Sequence, residues 1–236
     1  MKTSKSNDAL KQLAGRAAAS LVADGMVCGM GTGSTARFFI EEVGRRMREE
    51  GLRIAGVPTS FQTRILCQQN GIPLRDAQDC RAIDLAVDGA DEVDPDLNVT
   101  KGGGAAHTME KLVASMASQF VVIVDESKLV SRLGSTVAIP IEVTVPAIGY
   151  VTEVVTRLGG QPRLRMGVNK DGPLVTDNGQ LVIDAKFGPD VDLREVDARL
   201  HRTPGVVETG LFFDMATKVL VGVSDGMCVR TLVRKV

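Results

Sequence analysis

The sequence predicts an α/β protein: a mostly parallel, Rossmann-like sheet domain with a smaller inserted α+β domain of the ferredoxin-like βαββαβ type. In the first half, short and almost continuously apolar runs alternate with helical stretches, which is typical of a parallel sheet covered on both faces. After Gly134 the order changes to strand, helix, strand, strand, helix, strand. Apolar runs near the end then resemble further strands of the first sheet. We therefore predict an α/β catalytic domain of residues 1–133 and 208–236, and a small α+β domain of residues 134–207.

The elements of the first domain follow from hydrophobic periodicity. Leu10, Leu13, Ala14, Ala17 and Leu21 form one stripe, which predicts a helix over residues 8–23. The same reasoning predicts further helices over 36–50, 61–69 and 108–118. Short apolar runs predict strands over 26–30, 54–58, 72–74, 85–87, 120–124, 218–223 and 228–233.

The small domain contains a strong turn signal. Asp177-Asn178-Gly179 lies between two apolar runs, which indicates a β-hairpin with strands over 174–176 and 180–186. The other predicted strands cover 137–143, 163–168 and 206–212. Helices are predicted over 147–158, which ends before a Gly-Gly pair, and over 192–201, where Asp192 is the predicted N-cap.

The composition excludes several classes of function. A net charge of −1 without runs of like charge disfavours a nucleic-acid-binding face, and 3% aromatic residues disfavour base stacking. Four separated cysteines and two histidines disfavour a zinc site; Cys28 and Cys228 lie in apolar runs and are predicted to be core residues. No signal peptide or membrane-length apolar run is evident, so we expect a cytoplasmic protein with reduced thiols.

A glycine-rich loop joins the first strand to a helix. Gly29, Gly31 and Gly33 alternate with other residues and lead into Ser34 and Thr35. Backbone N–H groups at such a helix start, together with the hydroxyls of Thr32, Ser34 and Thr35, can bind a phosphate monoester. The spacing differs from the dinucleotide fingerprint, and the lysine of a nucleotide P-loop is missing. The alternative is a tight turn without a ligand.

An acidic loop follows a later strand. Asp88 and Asp91 lie close together in the chain, and their repulsion should raise at least one pKa unless a cation such as Lys101 is near. Two alternatives remain: a surface turn with one ion pair, and a magnesium site, against which Lys101 argues because it competes for the same carboxylates.

Glu110 is the strongest candidate for a general base. It borders a predicted apolar helix stripe of Met109, Leu112, Val113 and Met116, and partial burial there would raise its pKa. His107 lies on the same face and is a rival, although a histidine at a helix start is more often a surface or capping residue. A phosphate cradle, a base, a lysine and further carboxylates together fit proton transfer next to a carbonyl group, without a metal or a redox cofactor.

Several motifs, in order along almost the whole chain, closely resemble the type A ribose-5-phosphate isomerases. They are Gly-Met-Gly-Thr-Gly-Ser-Thr-Ala (29–36), Val-Asp-Gly-Ala-Asp-Glu (87–92), Lys-Gly-Gly-Gly-Ala-Ala (101–106) with Glu110, Asp-Glu-Ser-Lys (125–128), Leu-Gly-Gly (158–160), Thr-Asp-Asn-Gly (176–179) and Pro-Gly-Val-Val (204–207) with Gly-Leu-Phe (210–212).

The resemblance implies metal-free interconversion of D-ribose 5-phosphate and D-ribulose 5-phosphate in the non-oxidative pentose phosphate pathway. It implies that Glu110 is the base and that Asp88, Asp91 and Lys101 assist ring opening and proton handling on the sugar oxygens. The implied substrate-binding positions are Thr32, Gly33, Ser34, Thr35, Gly89, Ala90, Gly102, Gly103, Gly104, Lys128 and Lys11. The segment 58–63 has a supporting role near the site.

The resemblance also implies a homodimer or homotetramer with the small domain at subunit contacts. A non-catalytic sugar-phosphate sensor of the same fold is the main alternative, although it would be joined to a DNA-binding segment and could dispense with Glu110. Amino-sugar-phosphate deaminases and acyl-CoA transferases of related architecture are further alternatives, which need different acid–base groups.

Overall fold

A computed structural model describes residues 4–234, with side chains from residue 8 onwards. The helices are α1 (Ser4–Ala19), α2 (Ser34–Glu50), α3 (Phe61–Gln69), α4 (His107–Ser115), α5 (Ile148–Arg157) and α6 (Leu193–Leu200). The strands are β1 (Val27–Met30), β2 (Ala55–Pro58), β3 (Ile83–Asp88), β4 (Glu92–Val93), β5 (Val99–Thr100), β6 (Ala117–Asp125), β7 (Ile139–Val143), β8 (Gly160–Leu164), β9 (Leu181–Phe187), β10 (Val206–Thr209), β11 (Leu211–Phe212), β12 (Lys218–Val223) and β13 (Cys228–Val233).

Internal contacts divide the chain into two compact units. The first unit holds the chain up to Ala90, the segment Met109–Leu129 and the chain from Asp214 onwards; the second holds Asp91–Thr108 and Val130–Phe213. In the sequence-based division the segments 91–108, 130–133 and 208–213 belong to the first domain, whereas these contacts group them with the second unit. Its strands β4 and β5 pair with each other, and β5 also pairs with β11.

The first unit contains a six-stranded sheet of order β13-β12-β6-β3-β1-β2. All neighbours are parallel except β12 and β13, which confirms the predicted mostly parallel α/β sheet. Its core contains Phe39, Ile40 and Val43 of α2, each fully buried. Parallel strands place their carboxyl ends at one edge of the sheet, which is where ligands bind in such folds.

Three predictions for the first unit are wrong in detail. The predicted strand 72–74 is a single bridge between Gly56 and Leu74. The helix predicted over 108–118 ends at Ser115, because β6 begins at Ala117, which pairs with Ile83 of β3. Cys28 is buried as predicted, but Cys228 is exposed because its strand, β13, lies at the edge of the sheet.

The second unit contains a four-stranded antiparallel sheet of order β10-β7-β9-β8, with α5 between β7 and β8 and α6 between β9 and β10. This is the predicted βαββαβ order. Asp192 caps α6 as predicted, accepting a hydrogen bond from the Arg194 amide at 2.8 Å. Val175 forms only an isolated bridge to Leu181, and the strand predicted over 163–168 runs from Gly160 to Leu164.

The strand predicted over 206–212 is divided at Gly210. Its first part, β10, pairs with β7 of the four-stranded sheet, and its second part, β11, pairs with β5 of a three-stranded sheet. A Cβ atom on Gly210 would lie 2.2 Å from the carbonyl oxygen of Lys101, so only glycine fits where the chain passes from one sheet to the other. Both sheets lie within the second unit.

Candidate active site

In the first unit, the structure brings the glycine loop and Asp88 together. The ends of β1 and β3 are neighbours, and the amide of Gly31 donates to the Val87 carbonyl at 2.9 Å. The Oδ1 atom of Asp88 then accepts hydrogen bonds from the amides of Thr32 at 3.0 Å and Gly89 at 2.7 Å. Asp88 is 3% exposed, so the strand end delivers a buried carboxylate directly beside the loop.

Gly31 is needed for this close approach. A Cβ atom at this position would lie 2.3 Å from the carboxyl carbon of Asp88, which no side chain could tolerate. The glycine-rich spacing therefore reflects contact with Asp88 as well as turn geometry.

The Thr32 hydroxyl has a different environment from the one predicted. Its Oγ1 lies 2.7 Å from the hydroxyl oxygen of Ser60, 2.8 Å from that of Thr59 and 3.0 Å from that of Thr63. Thr63 also donates to the carbonyl of Gly31 at 2.8 Å. These bonds hold the Thr32 side chain inside a protein hydroxyl cluster.

Ser34 and Thr35 remain as hydroxyls at the start of α2. Gly33 precedes the helix with φ 105°, and Ser34 is exposed while Thr35 is half-buried. A helix N-terminus offers unsatisfied N–H groups and a positive dipole end, both of which favour an anion. A cleft of about 420 Å³ is lined by Gly31, Gly33, Ser34, Arg37, Gln62, Thr63, Ile65, Leu66 and Gln69.

Glu110 lies on α4 and is buried, with 6% of its surface exposed. It shares the buried side of the helix with Val113 and Ala114. The predicted stripe was partly wrong, because Leu112 is 45% exposed. Glu110 thus lies more deeply in the protein than the sequence pattern indicated.

In the second unit, a short hairpin positions Asp91 and Lys101. The Asp91 amide donates to the Thr100 carbonyl at 2.8 Å, and β4 pairs with β5 between these residues. The Lys101 amide donates to the Gly210 carbonyl at 2.9 Å. Lys101 is 3% exposed, and its ammonium lies 5.7 Å from the centre of the Phe212 ring, within the range of a cation–π interaction.

The glycine turn after Lys101 binds Asp91 through its backbone. The amide of Gly103 donates to Oδ2 of Asp91 at 2.9 Å. Gly102 has φ 105°, a left-handed conformation that favours glycine, and Gly103 and Gly104 are exposed. Asp91, Lys101 and the turn therefore form one connected group within the second unit.

The structure overturns the surface interpretation of His107. The residue is the first of α4, but it is fully buried. A Cβ atom on Gly102 would lie 2.8 Å from the ring Nδ1, so the imidazole packs directly beneath the glycine turn. Helix position alone could not reveal this, because His107 is covered by the glycine turn that precedes the helix.

Glu92, next to Asp91, is a fully buried carboxylate that the sequence analysis left without a role. Its oxygens accept hydrogen bonds from the amides of Gly134 and Thr136, both at 2.6 Å, and from the Thr136 hydroxyl at 2.7 Å. Burial on its own raises the pKa of Glu92, but these bonds and one from the Val137 amide outweigh it and hold the pKa below its usual value.

The two predicted lysines outside this group have different settings. Lys128 ends a 3₁₀ turn directly after β6, where the Asp125 carboxylate accepts a hydrogen bond from the Ser127 amide at 3.0 Å. Lys11 lies on α1 with its ammonium 3.9 Å from Asp8. The described contacts link neither lysine to Thr32 or Asp88, so their roles in binding remain predictions.

Gly89 and Ala90 continue the chain from Asp88 and are half-buried. Among residues 4–234, no group of three or more histidine, cysteine, aspartate or glutamate side chains could hold a metal ion. All four cysteines are free thiols, and burial raises the pKa of both Cys28 and Cys67 to about 12.

The sequence predicts a supporting role near the site for the segment 58–63, but it does not predict that the hydroxyls of Thr59, Ser60 and Thr63 surround that of Thr32. A residue that sequence reasoning missed is Arg165, which donates to the carbonyls of Gly102 and Gly103 at 2.8 and 3.2 Å. Nothing in the sequence indicates this contact, because the partners are more than sixty residues apart.

Comparison with known proteins gives one consistent answer. The family described as "Ribose 5-phosphate isomerase A (phosphoriboisomerase A)" matches residues 55–226. A relative named "Ribose-5-phosphate isomerase A" from Thermosynechococcus vestitus is 52% identical over 219 residues, which cover 92% of this chain and 93% of the relative.

Solved structures with a similar fold point to the same family. One of a D-ribose-5-phosphate isomerase in complex with phospho-erythronic acid has a TM-score of 0.93 and 44% identity, covering 97% of this chain and 99% of the other. Another, of ribose 5-phosphate isomerase A from Methanocaldococcus jannaschii, has a TM-score of 0.90 and 45% identity. It covers 95% of this chain and 98% of the other. The chain therefore belongs to the ribose 5-phosphate isomerase A family.

Proposed function

We propose that this chain is an aldose–ketose isomerase that interconverts D-ribose 5-phosphate and D-ribulose 5-phosphate in the non-oxidative pentose phosphate pathway. The observation that carries the proposal within the chain is the buried carboxylate of Glu110, on the helix that follows the glycine turn after the buried Lys101. Family membership supports the same activity, since the relatives are named for it.

The reaction moves one proton between adjacent carbons. Glu110 removes the proton from C2 of the open-chain aldose, and the electrons of that bond form the C1–C2 double bond of an enediolate while the C1 oxygen takes up negative charge. Protonation of the C1 oxygen, loss of the proton from the C2 hydroxyl and return of a proton from Glu110 to C1 then give the ketose. Burial favours this role because it strengthens a carboxylate as a base.

Asp88, Asp91 and Lys101 act on the sugar oxygens. A lysine ammonium stabilises a developing oxyanion, and carboxylates relay protons during ring opening. Asp88 is already fixed by two amide hydrogen bonds and Asp91 by one, so each would meet the substrate in a preset orientation.

The phosphate group binds at the start of α2. The exposed hydroxyl of Ser34, that of Thr35 and the N–H groups of the first turn supply hydrogen bonds, and the helix dipole favours the phosphate charge. Lys128 and Lys11 supply positive charge to the substrate phosphate in this proposal, whereas Thr32 acts mainly through its backbone and through the hydroxyl cluster.

We propose a cytoplasmic homodimer or homotetramer in which the small domain contributes subunit contacts. Exposed apolar side chains in the second unit support such contacts: Val168 is 94% exposed, Met166 56% and Val175 50%. No helix among the described residues has both the length and the apolar character that a membrane span requires.

A direct assay tests the activity. The purified protein is incubated with ribose 5-phosphate, with and without EDTA, and ketopentose formation is followed. We expect turnover that EDTA leaves unchanged. Folded protein without turnover would refute the isomerase proposal, and loss of turnover on EDTA addition would refute the metal-free mechanism.

A non-catalytic sugar-phosphate sensor of the same fold is not favoured. The chain matches curated isomerases over almost their whole length and retains the buried Glu110.

A further inference from the structure

We infer that Arg165 is a positioning residue for the isomerase reaction: its guanidinium fixes the Gly102–Gly103 turn and, through that turn, the side chain of Asp91 and the backbone at Lys101. The inference rests on the proposed function. Arg165 does not need to touch the substrate in this role.

The Arg165 side chain makes hydrogen bonds on two sides, to Asp184 and to the glycine turn, and we call this arrangement the Arg165 bracket. On one side, its Nε and Nη2 atoms donate to the two carboxylate oxygens of Asp184 at 2.8 and 2.5 Å, a bidentate pair. On the other side, its Nη1 atom donates to the carbonyls of Gly102 at 2.8 Å and Gly103 at 3.2 Å. The Arg165 side chain is only 16% exposed.

The bracket is anchored in the four-stranded sheet. Asp184 lies on β9, and Arg165 directly follows β8, with its amide bonded to the Val182 carbonyl at 2.8 Å. Both partners are therefore held by the strand ladder, and the guanidinium transmits that rigidity to the loop. A glycine turn needs such support because glycine has the largest backbone freedom to lose.

The turn in turn orients the predicted reacting groups. The peptide unit between Gly102 and Gly103 presents its carbonyl to Arg165 and its amide to Asp91, so the guanidinium and the carboxylate are joined through one peptide plane. Lys101 directly precedes this unit. If the turn moves, the Asp91 carboxylate loses its amide donor, and the chain is no longer held on the C-terminal side of Lys101.

Arginine suits this task better than lysine. Only a planar guanidinium can pair with both oxygens of one carboxylate while a further nitrogen reaches two carbonyls. A lysine ammonium could bind either the Asp184 carboxylate or the carbonyls of the glycine turn, but not both at once. We therefore expect the conservative substitution to restore part of the function.

The test compares steady-state kinetics of Arg165→Met, Arg165→Lys and Asp184→Asn with those of the wild type. We expect Arg165→Met to lower kcat at least about tenfold with KM within about threefold, because small misplacement of reacting groups is costly. Arg165→Lys should have an intermediate kcat. The kcat of Asp184→Asn should fall less than that of Arg165→Met. The double variant Arg165→Met/Asp184→Asn should have a kcat no lower than that of Arg165→Met alone.

Arg132→Met is the matched control. Arg132 lies in the same unit, and its Nη2 donates to two backbone carbonyls, those of Gly188 at 2.7 Å and Val191 at 2.9 Å. This variant loses the same kind of bonds away from the glycine turn. We expect Arg132→Met to lose about as much thermal stability as Arg165→Met while its kcat stays at the wild-type value.

Hydrogen exchange provides a readout that does not depend on activity. Amides in residues 101–106 should exchange at least about tenfold faster in Arg165→Met than in the wild type or Arg132→Met. A kcat within twofold of the wild type in Arg165→Met, an equal kcat loss in Arg132→Met, or unchanged exchange at 101–106 would each overturn the inference. An inactive wild type would instead refute the proposed function, and the exchange data would still decide whether Arg165 holds the turn.

Discussion

At the scale of single residues, buried carboxylates of the same chemical type have different surroundings, and we predict different tasks for them. Glu92 accepts several hydrogen bonds from one loop and is structural. Asp88 accepts two amide hydrogen bonds at the sheet edge where ligands of α/β proteins bind. Glu110 is buried on α4, on the same side of the helix as the buried Val113 and Ala114.

The role of Glu110 is tested by Glu110→Gln. This substitution keeps the size of the side chain but removes its basicity, so we expect loss of proton exchange at C2 with substrate binding largely retained. Solvent-deuterium exchange followed by NMR measures the first quantity and calorimetric titration with ribose 5-phosphate the second. Near-normal exchange would transfer the role of base to another group, with His107 the next candidate.

Thr35→Ala separates phosphate binding from chemistry. The hydroxyl is expected to bind the phosphate equally in the ground and transition states, so its loss should raise KM by roughly 3–10-fold with little change in kcat. Initial-rate kinetics measure both constants. A fall in kcat at constant KM would show that the loop does more than bind phosphate.

Glu92→Gln tests the structural carboxylate. Charged hydrogen bonds to Gly134, Thr136 and Val137 would be weakened, so we expect the free energy of unfolding to fall by about 2–3 kcal/mol at pH 7. Because the folded pKa of Glu92 is lowered, its contribution is present above the unfolded pKa and is lost as pH falls through the folded pKa.

Urea unfolding at several pH values measures this effect. The difference in the free energy of unfolding between the wild type and Glu92→Gln should become smaller at acidic pH. Glu195→Gln, on the exposed face of α6, is the control and should change the stability little. A pH-independent difference would mean that the carboxylate charge is not what stabilises the loop.

At the scale of elements, α6 and β10 of the second unit are joined by a titratable contact. The His201 ring, at the end of α6, contacts the carbonyl of Asp197 at 2.9 Å through Nδ1 and the Glu208 carboxylate on β10 at 2.7 Å through Nε2. The bond to Glu208 raises the pKa of His201 to about 9, against an opposing effect of burial and with further support from Asp197.

This contact predicts a pH dependence of stability. The folded pKa lies above the unfolded value, so the stabilisation is complete below pH ~6.5 and is lost as pH rises to about 9. The side chain is 40% exposed, and solvent screening should limit the effect to less than about 1 kcal/mol. The melting temperatures of the wild type and His201→Gln, measured between these pH values, should become equal at the alkaline end. A difference in melting temperature that does not change with pH would contradict the role given to His201.

At the scale of the whole molecule, each compact unit is assembled from separate pieces of the chain. The chain leaves the first unit after Ala90, returns at Met109, leaves again after Leu129 and returns at Asp214. The predicted site residues are divided accordingly: Asp88 and Glu110 belong to the first unit, and Asp91 and Lys101 to the second. Residues that are close in sequence thus belong to different structural units.

The proposed assembly is tested in solution. Light scattering coupled to size-exclusion chromatography should give two or four times the chain mass of 25.1 kDa. Val168→Glu should weaken the association if the exposed apolar side chains of the second unit form a contact, because a charge would then be buried. A monomer at micromolar concentration would refute the proposed oligomer.

The sequence by itself determined the α/β class, the βαββαβ order, most helices and strands, and the family. Apolar periodicity, turn residues and ordered motifs are local signals, and they predicted α3, β12 and β13 at their observed bounds. Only the tertiary structure revealed β4 and β5, whose two residues each are too few to show a period. It also revealed the burial of His107, the hydroxyl cluster around Thr32 and the Arg165 bracket on the glycine turn. The hydroxyl cluster and the Arg165 bracket depend on partners distant in the chain, whose proximity arises from packing and strand pairing rather than from any local pattern. His107 is covered by a glycine turn nearby in the chain, whose path the helical periodicity does not reveal.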